Sequence, residues 1–138
     1  GPCWRLIGAS AVLDINCRCI VTVLDERGRP VAGVAVIDIR PDAQYEELLT
    51  NGAGQVEFIY GAASKFWAPN VGPHMVYIGE PGTPAGDQVV GMGLPEGHHC
   101  EYSLSFAWTP NVVTPPKRLV GRVKVLGLWF KSEFEEQK

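Results

Sequence analysis

The chain has no run approaching the roughly 18–20 consecutive apolar residues that a membrane-spanning helix needs. It also lacks an excess of either charge. Twelve Lys and Arg stand against fifteen Asp and Glu, a net charge of −3. That balance argues against nucleic acid as a partner, which calls for a concentrated basic surface. Three catalytic signatures are missing: the G-x-S-x-G elbow, H-E-x-x-H and the phosphate-binding P-loop. No segment carries a convincing amphipathic helical period. Histidine is scarce, with three residues, and two of them, His98 and His99, are adjacent. Neighbours in a strand point to opposite faces, so those two cannot readily share one ion, and no metal or cofactor is expected. Glu46 and Glu47 diverge for the same reason and make no glycosidase pair. Asp38 and Asp42 flank a strand end but lack the spacing of a calcium loop. The expectation is a chain that is not an enzyme.

What is present is strand and turn chemistry. The 138 residues suit one domain, 1–138, with a two-layer core. Sixteen Gly and eleven Pro suit many short strands joined by tight turns. The clearest strand is Gly97–Trp108, which alternates along its length. His98, Cys100, Tyr102, Leu104, Phe106 and Trp108 fall on one face, and His99, Glu101, Ser103, Ser105 and Ala107 on the other. Further strands are predicted over Trp4–Leu13, Arg18–Leu24, Val31–Arg40, Tyr45–Thr50, Gln55–Tyr60, Pro73–Gly79, Gln88–Leu94 and Arg118–Phe130. Asp25–Pro30 and Asn51–Gly54 read as turns, Glu80–Asp87 as an exposed loop and Thr109–Lys117 as a Pro-rich connector. Gly1-Pro2 reads as the remnant of a cleaved tag, and residues from Lys131 onward as a frayed tail. No signal peptide is apparent, so export would require one already removed. The predicted class is an all-β sandwich, Ig-like or jelly-roll-like, of about eight to ten short and mostly antiparallel strands.

Cys3, Cys17, Cys19 and Cys100 lack the paired C-x2-C knuckles of a zinc site. Their even number in a strand-rich chain predicts two disulfides and an oxidising compartment. Cys17 and Cys19 share a strand face and cannot bridge each other, so each would pair with Cys3 or Cys100. The alternative is four buried thiols.

Val21–Val36 (V-T-V-L-D-E-R-G-R-P-V-A-G-V-A-V) followed by Thr50–Phe58 (T-N-G-A-G-Q-V-E-F) resembles the transthyretin-like and carboxypeptidase-regulatory-like Ig-type sandwiches. Those are mostly non-catalytic modules of exported proteins. W-R-L-I-G at Trp4–Gly8, V-x-V-L-D-E at Val21–Glu26 and G-H-H at Gly97–His99 are similar to accessory modules of bacterial and phage cell-wall or polysaccharide hydrolases. The short, cysteine-bearing stretch between Trp4 and Arg18 departs from that pattern. The second resemblance implies binding of a glycan or surface beside a parent hydrolase.

Large rings are plentiful: Trp4, Phe66, Trp67, Trp108 and Trp129. Trp108 and Trp129 fall on apolar strand faces and are expected in the core. Phe66 and Trp67 lie in an irregular stretch, where a ring face can stack on a sugar. Lys65 and Asn70 in that loop, with His99 and Glu101 on the nearby strand, would take the hydroxyls. Arg118, Arg122 and Lys124 share a strand face that is either solvated or meets an anionic polysaccharide. The resulting expectation is a carbohydrate-binding module of a secreted or cell-surface protein, its partner a polysaccharide or cell-surface glycan. The alternative is a structural or assembly domain of a virion, appendage or adhesin, docking another protein.

Overall fold

The computed structural model describes residues 1–13, 17–60, 72–93, 100–126 and 129–137; side chains at 13 and 122–132 are not among those described. Ten strands make up the fold, with no helix among these residues. They are β1 (Cys3–Leu13), β2 (Arg18–Leu24), β3 (Ala35–Ile39), β4 (Tyr45–Leu49) and β5 (Gln55–Ile59). β6 (His74–Glu80), β7 (Thr83–Met92), β8 (Cys100–Thr109), β9 (Arg118–Leu126) and β10 (Trp129–Glu136) follow. The hydrogen-bonded order is β4-β3-β6-β7-β1-β8-β2-β5, with β9 also on β7 and β10 on β9. The result is a mixed sheet that curls into a nearly closed, barrel-like shell, where the sequence suggested two separate layers.

Direction along the shell follows one rule. All three parallel pairings join strands of like parity, β1 with β7, β2 with β8 and β7 with β9. All six antiparallel pairings join one odd with one even strand. Every odd strand therefore runs toward one end of the shell and every even strand returns from it.

β8 lies between β1 and β2, and its alternation is the predicted one. Cys100, Tyr102, Leu104 and Phe106 are buried. They pack with Cys19, Val21, Val23, Val36, Val56, Phe58, Val76 and Val89. Burying a side chain of the Val, Leu or Phe class contributes about 1.5–3 kcal/mol, so this inward stripe is the main source of stability. Trp108 is only half-buried and meets Trp4 edge-on, with ring centroids 5.0 Å apart.

β7 links the two halves of the shell. Its register meets β1 at Trp4↔Gly86 and β9 from Gln88 to Val90. The backbones approach so closely at the first crossing that a Cβ on Gly86 would lie 2.0 Å from the Trp4 carbonyl oxygen, which only glycine avoids. The adjacent Asp87 is 2% exposed. Its Oδ1 accepts from Arg5 Nη1 at 3.0 Å and from the Lys117 amide at 2.7 Å; its Oδ2 accepts from the Leu6 amide at 2.8 Å. Arg5 also donates to the Thr114 hydroxyl and the Pro115 carbonyl. One carboxylate thus ties β1, β7 and the Pro-rich connector together.

Three hairpin turns share one design. In each, the first residue's amide donates to the carbonyl of the fifth: Asp25 to Arg29, Arg40 to Gln44 and Asn51 to Gln55. The fourth residue is left-handed: Gly28 (φ 81°), Ala43 (φ 67°) and Gly54 (φ 71°). Glycine takes this conformation at no steric cost, whereas alanine does not. Asp25 and Asn51 further cap their turns, each accepting two backbone amides. Those amides, the Arg29 N–H foremost, hold the Asp25 carboxyl below its ordinary range. Between β2 and β3 the buried Thr50 hydroxyl donates to the Val31 carbonyl and accepts the Val34 amide.

Several expectations are corrected. All four cysteines are buried, and no two lie at disulfide distance. Cys3 pairs in register with Thr109 and Leu13 with Cys100, so Cys3 and Cys100 stand at opposite ends of an 11-residue strand. At about 3.3 Å per residue they are roughly 30 Å apart. Cys19 faces Tyr102 rather than Cys100 across β2–β8. Residues 31–34 are not strand, because Thr50 ties them down as a crossover. The predicted loop at 80–87 is largely β7, its turn confined to Pro81-Gly82. The single strand expected over 118–130 is two, β9 and β10. Residues 131–136, expected as a frayed tail, pair with β9.

We predict that Asp87→Ala lowers the unfolding free energy by about 3 kcal/mol, because the half-buried Arg5 and the Leu6 and Lys117 amides lose their common acceptor. Ala43→Gly should raise it by about 0.5 kcal/mol by relieving the left-handed alanine. Urea unfolding of both variants measures this; an Asp87→Ala protein as stable as the parent would refute the tie.

Candidate functional site

The parity rule gathers the odd-to-even connections at one end. These are the links β1–β2, β3–β4, β5–β6, β7–β8 and β9–β10. Four of them contain the residues outside the described set, 14–16, 61–71, 94–99 and 127–128. Their flanking residues meet there: Leu13 opposite Cys100, the Tyr60 amide donating to the Cys17 carbonyl, and His74 opposite Met92. Gly72 packs so close that a Cβ there would lie 2.2 Å from the Met92 carbonyl oxygen. The segment carrying Lys65, Phe66, Trp67 and Asn70 and the segment carrying His99 thus leave neighbouring feet. Those five candidates themselves lie outside the described residues.

Beneath these feet is a buried polar cluster. Asp38, on the inward face of β3, is 2% exposed. Its Oδ1 accepts the Tyr60 hydroxyl at 3.1 Å, and its Oδ2 accepts His74 Nδ1 at 3.1 Å. The Tyr60 and His74 rings stack, with centroids 3.8 Å apart and planes 14° from parallel. Tyr60 precedes the 61–71 segment and His74 follows it, so one carboxylate holds both feet. Cys19 is hydrogen-bonded to the Tyr60 hydroxyl. A second pair lies alongside: Tyr102 is hydrogen-bonded to Cys100, and its hydroxyl accepts the Gly93 amide at 2.9 Å, where the 94–99 segment begins.

Burial pushes the Tyr60 and Tyr102 phenols and the Cys19 thiol up, with nearby Cys19, Asp38 and Cys100 adding to it. All three stay neutral at physiological pH, so the Cys19 thiol is no nucleophile. Asp38, Tyr60 and His74 are each under a tenth exposed. They sit in the core, where they hold the chain on both sides of residues 61–71. Asp38 and Asp42 do not converge, since Asp42 lies in the exposed β3–β4 turn and accepts the Gln44 amide. Among the described residues no three His, Cys, Asp or Glu gather as a metal site.

Glu101 is the one sugar-contact candidate the structure describes. It stands at the start of β8 on the outer face, bonded to Arg18 at 3.2 Å; Arg18 also reaches Glu57 at 3.1 Å. The row Glu57–Arg18–Glu101 edges the same end of the shell. The two carboxylates hold the guanidinium in its charged form.

The sequence reading missed Tyr60, His74, Asp38 and Tyr102 as a group. One signal was available: Tyr60 and His74 bracket the irregular stretch, and Asp38 shares strand parity with the inward Val36. A scan against protein-family models finds no match, and neither does a search of curated proteins.

We predict that Asp38→Ala costs about 3 kcal/mol, because two buried donors lose their acceptor. The raised phenols give a signed pH effect. Unfolded tyrosine ionises near pH 10, whereas folded Tyr60 and Tyr102 remain protonated. Their contribution is therefore complete below pH 10 and declines above it. Absorbance titration should show these two of the four tyrosines ionising only with unfolding; smooth titration of all four in the folded protein would contradict the cluster.

Proposed function

We propose that this chain is a non-catalytic binding module and that its ligand is carbohydrate, held at the end where the odd strands finish. The observation that supports this reading is the convergence of feet. The segment with Phe66, Trp67, Lys65 and Asn70, the segment with His99, and Glu101 all depart from one end of a rigid shell. Binding residues are commonly carried on loops positioned by a rigid scaffold, and pre-organised feet lower the entropy cost of ordering a loop on a ligand. Trp67 supplies a stacking face, and the charged row at Glu101 supplies fixed donors and acceptors for hydroxyls. The resemblance to hydrolase accessory modules supports the same ligand class and a place in a secreted or surface protein. The disulfide argument for export no longer contributes.

A second reading, assembly with another protein, is favoured by one feature. The strands that end the main sheet path, β4 and β5, expose Tyr45, Leu49 and Ile59 at 53–64%. Unpaired edges of this kind accept further strands.

A glycan array followed by fluorescence titration tests the first reading. Trp67→Ala should weaken the bound glycan on the order of tenfold or more, about 1.4 kcal/mol per decade, with the far-ultraviolet spectrum unchanged. Absence of any glycan signal, together with a defined oligomer in light scattering, would move the assignment to assembly.

A further inference from the structure

A recess lies on the outer face of the shell, where β3 ends and β6 begins. It is an open, mostly apolar cavity of about 250 Å³. Its floor is formed by Ile39 on β3, Met75 on β6, and Val90 and Gly91 on β7. Ile39 and Met75 are register partners, and their neighbours Asp38 and His74 point inward, so this pair faces out. Gly91 leaves the floor without a side chain there. Pro73, beside the foot of the 61–71 segment, lines the recess as well. Tyr45, 53% exposed, is the register partner of Ile39 on the other side and shares its face.

Two arginines border this apolar floor, Arg40 at the β3–β4 turn and Arg118 at the start of β9. Both are exposed. Arg40 reaches Glu46 at 3.6 Å, both side chains more than a third exposed. Such a surface pair contributes little and yields readily to a better partner. Arg118 makes no ion pair with a described residue. Apolar floor, ring and cations together define the complement: a flat group with one apolar side and a carboxylate. Guanidinium groups recognise carboxylates through paired N–H donors, and the ring takes the apolar side of a sugar.

Resting on the carbohydrate reading above, we infer that this recess binds an acidic sugar unit, a hexuronate within a glycan, with Arg40 and Arg118 on its carboxylate and Tyr45 and the Ile39–Met75 floor against its ring. The interaction is screened by salt, as exposed charge pairs are.

The test compares oligogalacturonate with the same oligomer methyl-esterified, by calorimetric titration of the intact protein. The parent should prefer the acid form by about tenfold, in keeping with charge-assisted hydrogen bonds. That preference should shrink as salt rises and vanish in the double variant Arg40→Gln/Arg118→Gln, which should still bind the ester. Equal affinity for both oligomers, or a preference that survives the double substitution, overturns the inference. If the two bind equally and Trp67→Ala abolishes both, the acid site is wrong while the carbohydrate reading stands. If neither oligomer binds, the inference fails, and a blank glycan array takes the carbohydrate reading with it. Polyglutamate binding as tightly as oligogalacturonate would make the recess an acidic-peptide site and likewise overturn it.

Discussion

A carboxylate buried in an apolar core must be met by donors, or its desolvation cost is uncompensated. Asp38 finds its two donors in Tyr60, just past the end of β5, and His74, at the start of β6. Those strands lie far apart in the sheet order, β5 at one terminus and β6 beside β3. The Tyr60 bond therefore reaches across the interior from one wall of the shell to the other, while the His74 bond joins neighbouring strands β3 and β6. They also fix where the intervening segment leaves and re-enters. The Tyr60–His74 stack adds contact to the same bracket. Neutral Cys19 and Tyr102 extend the network toward β2 and β8 without adding charge.

Asp87 solves the corresponding problem elsewhere, where β7 changes partners from β1 to β9. A long strand shared between two neighbours needs its fork fixed, and a buried carboxylate with three donors, two from β1 and one from the connector, does so. The two buried aspartates thus have separate roles. Asp87 closes the curve of the sheet; Asp38 positions what emerges from its end. The parity of the strands then divides the connections. The even-to-odd links include compact turns such as Asp25–Arg29, Asn51–Gln55 and Pro81-Gly82, whose own side chains and glycines satisfy their backbone. The odd-to-even links β5–β6 and β7–β8 contain the segments 61–71 and 94–99.

Period-two patterning made most strands legible. β8 follows its predicted alternation from Cys100 to Phe106, and the glycines of the Asp25 and Asn51 turns sit where left-handed backbone is needed. Three features were not legible, for physical reasons. The strand character of 83–87 was masked by Pro84 and Gly86, the latter being glycine because two backbones nearly touch. The split between β9 and β10 was hidden, since Gly127 is the single turn-type residue in the mostly apolar run from Val123 to Phe130. The cysteines suggested bridges because an even count carries no distance information, whereas the β1–β8 register places Cys3 far from Cys100. At the candidate site, aromatic residues without periodic support drew attention to 65–70. The buried bracket beneath escaped notice, because Asp38, Tyr60 and His74 are distant in sequence and ordinary in type.

On the binding proposed above, a ligand meets one end of this shell. Amide chemical shifts recorded by nuclear magnetic resonance during titration with a bound oligosaccharide address that directly. Shifts should concentrate at residues 40–45, 72–75, 92–93 and 100–101, around the feet held by Asp38 and Tyr102. Shifts confined to 25–33, 50–54 and 110–117, at the opposite end, would contradict it.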